Sequence, residues 1–294
     1  MSALGATGGP AGTAPEPRHG RRIFAIWLVA TVIVVPLVIW VVGPHIPPVR
    51  NSQQANDQHA VNVVLAALAM PVLLFIWVYF GYAIAVWRQR PGDAAVDGPP
   101  IEGNPRIQLT WLALTSVLVL GLAVYGSVDL LTKAGAGGGE GPNPIAKPSP
   151  AALRNALQVQ VIGQQWLWTF RYPSYGGVET PYLEIPVNRT IVLHVTSLDV
   201  AHSFWAYELA VKADAIPGND NVAYVTATKT RSFQIRCAEL CGLWHGHMNT
   251  TGQVVSDSDF ATWIAQQQSQ YSGVTKELPP YSHVYYPQPI RRAG

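Results

Sequence analysis

Apolar positions follow one pattern in the first half of the chain and another after residue 150. Residues 23–42, 61–87 and 107–128 are uninterrupted by charge and dominated by Val, Leu, Ile and Ala. Each run is long enough to cross the hydrocarbon core of a bilayer, which takes about 20 residues of helix. Pro36 and Pro71 fall inside these runs. They would interrupt a helix in water but are tolerated in lipid. Trp27, Trp40, Trp87, Trp111 and Tyr125 lie towards run ends, where aromatic side chains anchor at the interface. Beyond residue 150 the stretches 157–162, 190–196, 222–228, 232–237 and 252–255 are short, rich in β-branched residues and separated by Gly, Pro, Asn and Asp. They predict strands of a compact antiparallel sandwich of about 100 residues.

Cationic residues set the expected orientation. Arg18, Arg21 and Arg22 precede the first run, and Arg88, Arg90 and Arg106 separate the second from the third, whereas Arg50 stands alone between the first and second. The positive-inside rule places the N-terminus and the second loop in the cytoplasm, and everything after the third run outside it. The first run, 23–43, has the basic flank of a signal peptide. Its length and the lack of a small-x-small site after Val42 favour a retained helix. The expected organisation is a disordered cytoplasmic segment 1–22, the first helix, a helical hairpin 60–131, a flexible Gly/Pro linker 132–150, the β domain 151–270 and an extended tail 271–294. Within the β domain 257–268 reads as a closing helix capped by Ser256 or Asp257, with Phe260, Trp263 and Ile264 on one face.

Charge excludes one class of partner. The chain is 49% hydrophobic and 12% charged with a net charge of +2, and no concentrated basic face is present for nucleic acid. Glu179, Glu184, Asp199, Asp214 and Asp220 offer acidic groups for a basic protein, although single charges of this kind are ordinarily solvated surface. The two cysteines, Cys237 and Cys241, are too few for a disulfide framework, and no Cys-x-x-Cys-His run exists to attach a c-type haem.

The chemistry concentrates in Cys237-Ala-Glu-Leu-Cys241-Gly-Leu-Trp-His245-Gly-His-Met248. Two thiolates, an imidazole and a thioether within twelve residues are the donors copper prefers. A mononuclear blue-copper loop needs one Cys, a nearby His and Met, and a second His from an earlier strand. The additional Cys lets two copper ions share bridging thiolates and one odd electron. His202, just after the strand 190–196, is the expected distant imidazole, with His194 inside that strand as its competitor. A disulfide would leave the His and Met spacing unexplained. Structural zinc would have no use for Met248. His247 reads as a loop residue.

This loop resembles the binuclear copper motif of the cytochrome c oxidase subunit II family. Gly163-Gln-Gln-Trp166-Leu-Trp168, His202-Ser-Phe-Trp205 and Lys212-Ala-Asp214-Ala-Ile-Pro217-Gly218 resemble further blocks of that family in the same order. The second and third runs correspond to its membrane anchor, so the likeness extends over roughly residues 60–270. It implies a cupredoxin-like Greek-key sandwich and a binuclear copper A centre. In that centre Cys237 and Cys241 bridge both coppers, His202 and Met248 complete one, and His245 and the backbone carbonyl of Glu239 complete the other. It also implies that electrons arrive from cytochrome c near Trp166 and leave to haem in subunit I, where oxygen chemistry and proton pumping occur, with subunit III as a further companion. The Glu239 carboxylate would help hold a magnesium or manganese ion at the boundary with subunit I. Strand alternation would put Trp166 and Trp168 on one face and Leu167 on the other, with Trp168 as packing.

Three related classes fit less well. A quinol oxidase subunit lacks the copper donors that are complete here. A tethered copper chaperone of thioredoxin fold would show alternating strands and helices, and nitrous oxide reductase would show preceding propeller repeats. One departure from the family stands at Gln108, where many relatives have a proton-admitting Glu; the nearest carboxylate is Glu102.

Overall fold

The computed structural model describes residues 18–46, 49–88, 91–92, 103–136 and 138–277. The expectations for 1–17, for Arg90 and Glu102, and for the tail after residue 277 fall outside these residues. The chain divides into two compact units, one formed by residues 1–44 with 63–99 and the other by 45–62 with 100–294.

In the first unit α1 (His19–Leu37) runs antiparallel to the later part of α2 (Gln53–Val86). His19 Nδ1 lies 2.7 Å from the Tyr82 hydroxyl and meets Trp87 edge-on, and the Trp27 indole donates to the Pro71 carbonyl at 2.8 Å. At the far end Gly43 has Val63 against it, where a Cβ would sit 3.2 Å from a Val63 methyl. After Pro36 the helix widens into a π turn over Val38–Val42 and tightens at Gly43–His45. The spans are longer than their apolar runs: among the described residues three helices, His19–His45, Gln53–Val86 and Pro105–Thr132, are long and apolar enough to cross a membrane. α2 starts eight residues before the expected residue 61 because Gln53–His59 is polar yet helix-compatible, a signal that hydropathy alone does not carry.

In the second unit α3 (Pro105–Thr132) begins at a strong start signal: Pro105 takes the first helical position and the Asn104 side chain accepts the Arg106 and Ile107 N–H groups. The short α4 (Pro150–Arg154) leads into the sandwich. Its strands are β1 (Leu157–Gln164), β2 (Leu167–Tyr172), β3 (Val178–Thr180), β4 (Leu183–Pro186), β5 (Thr190–Ser197), β6 (His202–Ala206), β7 (Val211–Ala215), β8 (Asn221–Thr226), β9 (Arg231–Cys237) and β10 (Asn249–Val255), followed by α5 (Asp257–Glu277). Two five-stranded sheets form, ordered β3-β2-β1-β5-β8 and β4-β10-β9-β6-β7. The all-β sandwich is as expected, but it is mixed rather than antiparallel: β1 pairs parallel with β5, and β4 parallel with β10.

Alternation explains the core. Leu157, Val159 and Val161 of β1 and Trp168, Phe170 and Tyr172 of β2 face inward against Phe204 and Ala206 of β6 and Phe233 and Ile235 of β9. Full burial of each such large side chain contributes about 1.5–3 kcal/mol. α5 closes one side with Phe260 and Ile264 buried and Trp263 packed beside them, and Ser256 Oγ caps it by accepting the Asp259 N–H at 3.1 Å. The Gly/Pro stretch is bound to the sandwich rather than free. Gly139 N–H donates to the Lys212 carbonyl, Val222 N–H to the Gly141 carbonyl, and Gly141 N–H to Asn221 Oδ1. Pro144 and Ala146 are buried. The start of α2 is tied to the same unit, with Gln54 bridging the Ala134 carbonyl and the Thr226 N–H.

Candidate metal centre

β9 and β10 are an antiparallel pair in which Arg236 faces Asn249, so the residues between Cys237 and Met248 form the loop at one end of the hairpin. The loop is closed by the Cys237 N–H donating to the Met248 carbonyl at 3.0 Å, and anchored to β6 by the Ala238 N–H donating to the Ser203 carbonyl at 2.8 Å. A single 3-10 turn, His245–His247, folds the loop back so that His245 and Met248 face the thiols. β6 runs beside β9 with Phe204 opposite Cys237, which brings His202 at the start of β6 to the same end.

The result is a buried cluster of soft donors. Cys237 Sγ lies 3.7 Å from Cys241 Sγ, 3.8 Å from His202 Nδ1 and 3.2 Å from the Glu239 carbonyl oxygen. Cys241 Sγ lies 3.5 Å from His245 Nδ1 and 3.8 Å from Met248 Sδ. Both cysteines are free thiols, so the disulfide alternative is not the state of this structure. His202 is fully buried and Met248 nearly so, while His245 is half-buried. Burial, followed by the neighbouring Cys237 thiol, pushes the Cys241 thiol up to about 11. Two thiolates can coexist in so dry a place only with a cation between them. Sulfur, imidazole nitrogen, thioether and carbonyl oxygen together suit copper, and the thioether has no role around zinc.

The surroundings fix the His202 imidazole. Asp199 Oδ1 lies 2.9 Å from His202 Nε2, so the carboxylate accepts that N–H and leaves Nδ1 with a free lone pair facing Cys237. Burial opposes ionisation of Asp199, yet hydrogen bonds from the Gln165 N–H, His202 and the Val200 N–H outweigh it and hold the carboxyl below its ordinary range. Gly163 makes room for the arrangement: a Cβ there would stand 3.1 Å from both His202 and the Trp168 ring. His194, the competing imidazole, is engaged elsewhere, with Nδ1 2.8 Å from Asp220 Oδ2 and Nε2 3.1 Å from Gln158.

Trp166 departs from the strand argument. β1 ends at Gln164 and β2 starts at Leu167, so Trp166 occupies the turn between them and alternation does not apply to it. It is half-buried, and its indole N–H donates to the Cys241 carbonyl at 3.1 Å, which lays the ring against the donor loop. Trp168 is buried and meets His202 and Phe204 edge-on. The side chain of Glu239 is exposed, as are Leu240, Leu243 and Trp244, with His247 edge-on to Trp244. The acids considered for docking are largely occupied: Asp220 by His194, Asp199 by His202, Asp214 by Ser203, and Glu179 by Arg171. Sequence reasoning missed Gln165, whose amide also donates to the Cys241 carbonyl, at 2.9 Å. Its only signal was its place in the aromatic motif.

Comparison with known proteins follows the same lines. Residues 181–255 match the family described as "Cytochrome C oxidase subunit II, periplasmic domain". The chain is 31% identical to cytochrome c oxidase subunit 2 of Thermostichus vulcanus, over 83% of this chain and 86% of that one. It is 27% identical to the Bacillus subtilis protein of the same name, over 89% of this chain and 72% of that one. Among solved structures, the periplasmic domain of subunit II of cytochrome oxidase of Bradyrhizobium japonicum is 34% identical with a TM-score of 0.38, covering 39% of this chain and 95% of that one.

Proposed function

The chain belongs to the cytochrome c oxidase subunit II family, and from that premise we propose that it is the electron-accepting subunit of a haem-copper oxidase, taking electrons from cytochrome c and delivering them to haem in subunit I. One observation carries this reading. Each thiol stands beside one donor from each of two sets: Cys237 beside His202 and the Glu239 carbonyl, Cys241 beside Met248 and His245. That is the contact pattern bridging thiolates require, with His202 and Met248 serving one copper and His245 and the Glu239 carbonyl the other. Two coppers held there would supply a one-electron carrier whose charge is shared between them. The protein's part is to keep the donors buried, to hold both imidazoles with Nδ1 inward, and to present Trp166 at the surface of the loop as the planar contact for a donor haem edge.

The same reading assigns the remaining features. The exposed Glu239 carboxylate would help hold magnesium or manganese where this chain meets subunit I, with subunit III as a further companion in a proton-pumping complex. The three spans would cross the inner or plasma membrane, with the β domain on the periplasmic or outer side. Gln108, on the first turn of α3, cannot titrate, so proton uptake would use another group, for which Glu102 is the nearest carboxylate. Stopped-flow mixing of reduced cytochrome c with the assembled oxidase tests the proposal. Rapid oxidation of cytochrome c that His202→Ala abolishes is expected; an H202A oxidase that cytochrome c reduces at the normal rate would overturn it.

A further inference from the structure

The turn between β1 and β2 does more than present Trp166. Gln165 Nε2 donates to the Cys241 carbonyl at 2.9 Å and Trp166 Nε1 donates to the same oxygen at 3.1 Å, so both lone pairs of that carbonyl are engaged by one two-residue turn. The fit is close because Gly242 follows: its φ of +113° lies in a region that L residues rarely adopt, and a Cβ would stand 3.0 Å from Gln165 Nε2. The backbone of the same Gln165 donates to Asp199 Oδ2 at 2.7 Å, and Asp199 Oδ1 holds His202 Nε2 at 2.9 Å. Gln165 therefore joins the two donor-bearing segments, β6 through Asp199 and the β9–β10 loop through Cys241.

We propose that Gln165 is a positioning residue of the metal centre, a clamp that fixes the Cys241 peptide relative to His202, with the Trp166 indole as its second jaw. The inference rests on the two-copper reading of the donor cluster. Neither side chain can reach a metal through these bonds. Their effect is to immobilise the peptide that carries one bridging sulfur, within a loop that is also tied to the strands by the Cys237 N–H to Met248 and Ala238 N–H to Ser203 hydrogen bonds. Without the clamp the Cys241 sulfur and the His202 imidazole would move independently. The amide identity follows from the partner, because a carbonyl oxygen can only accept.

Two variants of nearly equal bulk separate hydrogen bonding from packing. Gln165→Leu removes the donor, and Gln165→Glu places an acceptor against an acceptor beside the Asp199 carboxylate. The full-length chain in detergent, loaded with copper, is challenged with a copper(I) chelator, and its hyperfine pattern and reduction potential are recorded. Loss of a partner outside the ligand sphere typically weakens metal binding by about 10–100-fold, so Q165L should release copper about tenfold faster than the natural chain, with an altered hyperfine splitting and a shifted potential, and Q165E faster still. Amide hydrogen exchange across residues 238–248 of the metal-free chain should rise in both variants. Because both variants keep the bulk and lose the donor, release, spectrum and exchange identical to the natural chain in Q165L and Q165E would overturn the clamp and leave packing alone. A natural chain that takes up one copper or none would instead overturn the two-copper reading, and the exchange measurement would still decide the clamp.

Discussion

Gly163, the last residue but one of β1, lies directly opposite Trp168, and replacing it with alanine inserts one methyl against two closely packed rings. The added Cβ would meet His202 Cδ2 at 3.1 Å, His202 Cγ at 3.3 Å and Trp168 Cζ3 at 3.1 Å. His202 is held on its far side by Asp199, and Trp168 is packed edge-on against Phe204. Overpacking of this kind costs about 1–3 kcal/mol. Alanine recovers about 0.5–1 kcal/mol because it loses less chain freedom than glycine in a strand. The net loss is therefore about 0–2.5 kcal/mol, centred slightly above ~1 kcal/mol, which corresponds to a fall of roughly 5 °C in the unfolding midpoint of a domain of about 120 residues. Gly246→Ala is the matched control, because it lies in the donor loop yet a Cβ there meets nothing within 4 Å. Near-ultraviolet circular dichroism melts of the two full-length variants, with copper retention under chelator challenge, provide the comparison. Gly163→Ala should melt lower and retain less copper, and Gly246→Ala should match the natural chain. Identical melts and copper retention in the two variants would refute the close-contact account of Gly163.

Four further outcomes are expected. Trp166→Ala should sharply slow reduction of the assembled oxidase by cytochrome c in stopped flow with copper retained, while Trp166→Phe, which keeps a planar apolar face and loses the hydrogen bond to Cys241, should retain most of the rate; a W166A oxidase that cytochrome c reduces at the normal rate, or that loses copper, would place electron arrival elsewhere. Glu239→Gln should lower magnesium or manganese content of the assembled oxidase, measured by elemental analysis, with both coppers kept; unchanged content removes that role. Glu102→Gln should slow turnover and proton uptake measured with a pH indicator, and normal kinetics would exclude it. The hydrogen bond from Ser203, together with Lys212, holds the Asp214 carboxyl below its ordinary value despite partial burial. A depressed folded-state value adds stability above the unfolded value of about 3.9 and loses it as pH falls through the folded one. Asp214→Asn should therefore flatten the acid limb of the unfolding midpoint measured against pH, and an unchanged limb would contradict the assignment.

The donor set was legible because its residues are chemically distinctive and mostly local: Cys237, Cys241, His245 and Met248 fall within twelve positions. The distant His202 required a choice against His194; the β6–β9 register places His202 beside Cys237, and His194 lies against Asp220. The spans were legible from hydropathy, but their polar extensions, such as Gln53–His59, were not, since helix continuation outside the apolar run has no hydropathic signature. The sandwich was legible as β-rich, whereas β2, β3, β4, β6 and β7 went unrecognised. β2 alternates Trp168, Phe170 and Tyr172 inward, but the aromatic motif before it reads as one strand until the turn at Gln165 and Trp166 breaks it. The parallel pairings of β1 with β5 and β4 with β10 depend on contacts distant in sequence, as does the convergence of Gln165 and Trp166 on the Cys241 carbonyl. Local periodicity carries none of that information.

Copper quantification and electron paramagnetic resonance on the purified full-length chain bear most directly on the central claim. Because each thiol stands beside one donor from each set, the account predicts two coppers per chain and a many-line hyperfine pattern from one unpaired electron shared by both nuclei. Cys237→Ser or Cys241→Ser should collapse the pattern to that of a mononuclear site or remove copper altogether. One copper per natural chain with a four-line pattern would contradict the account.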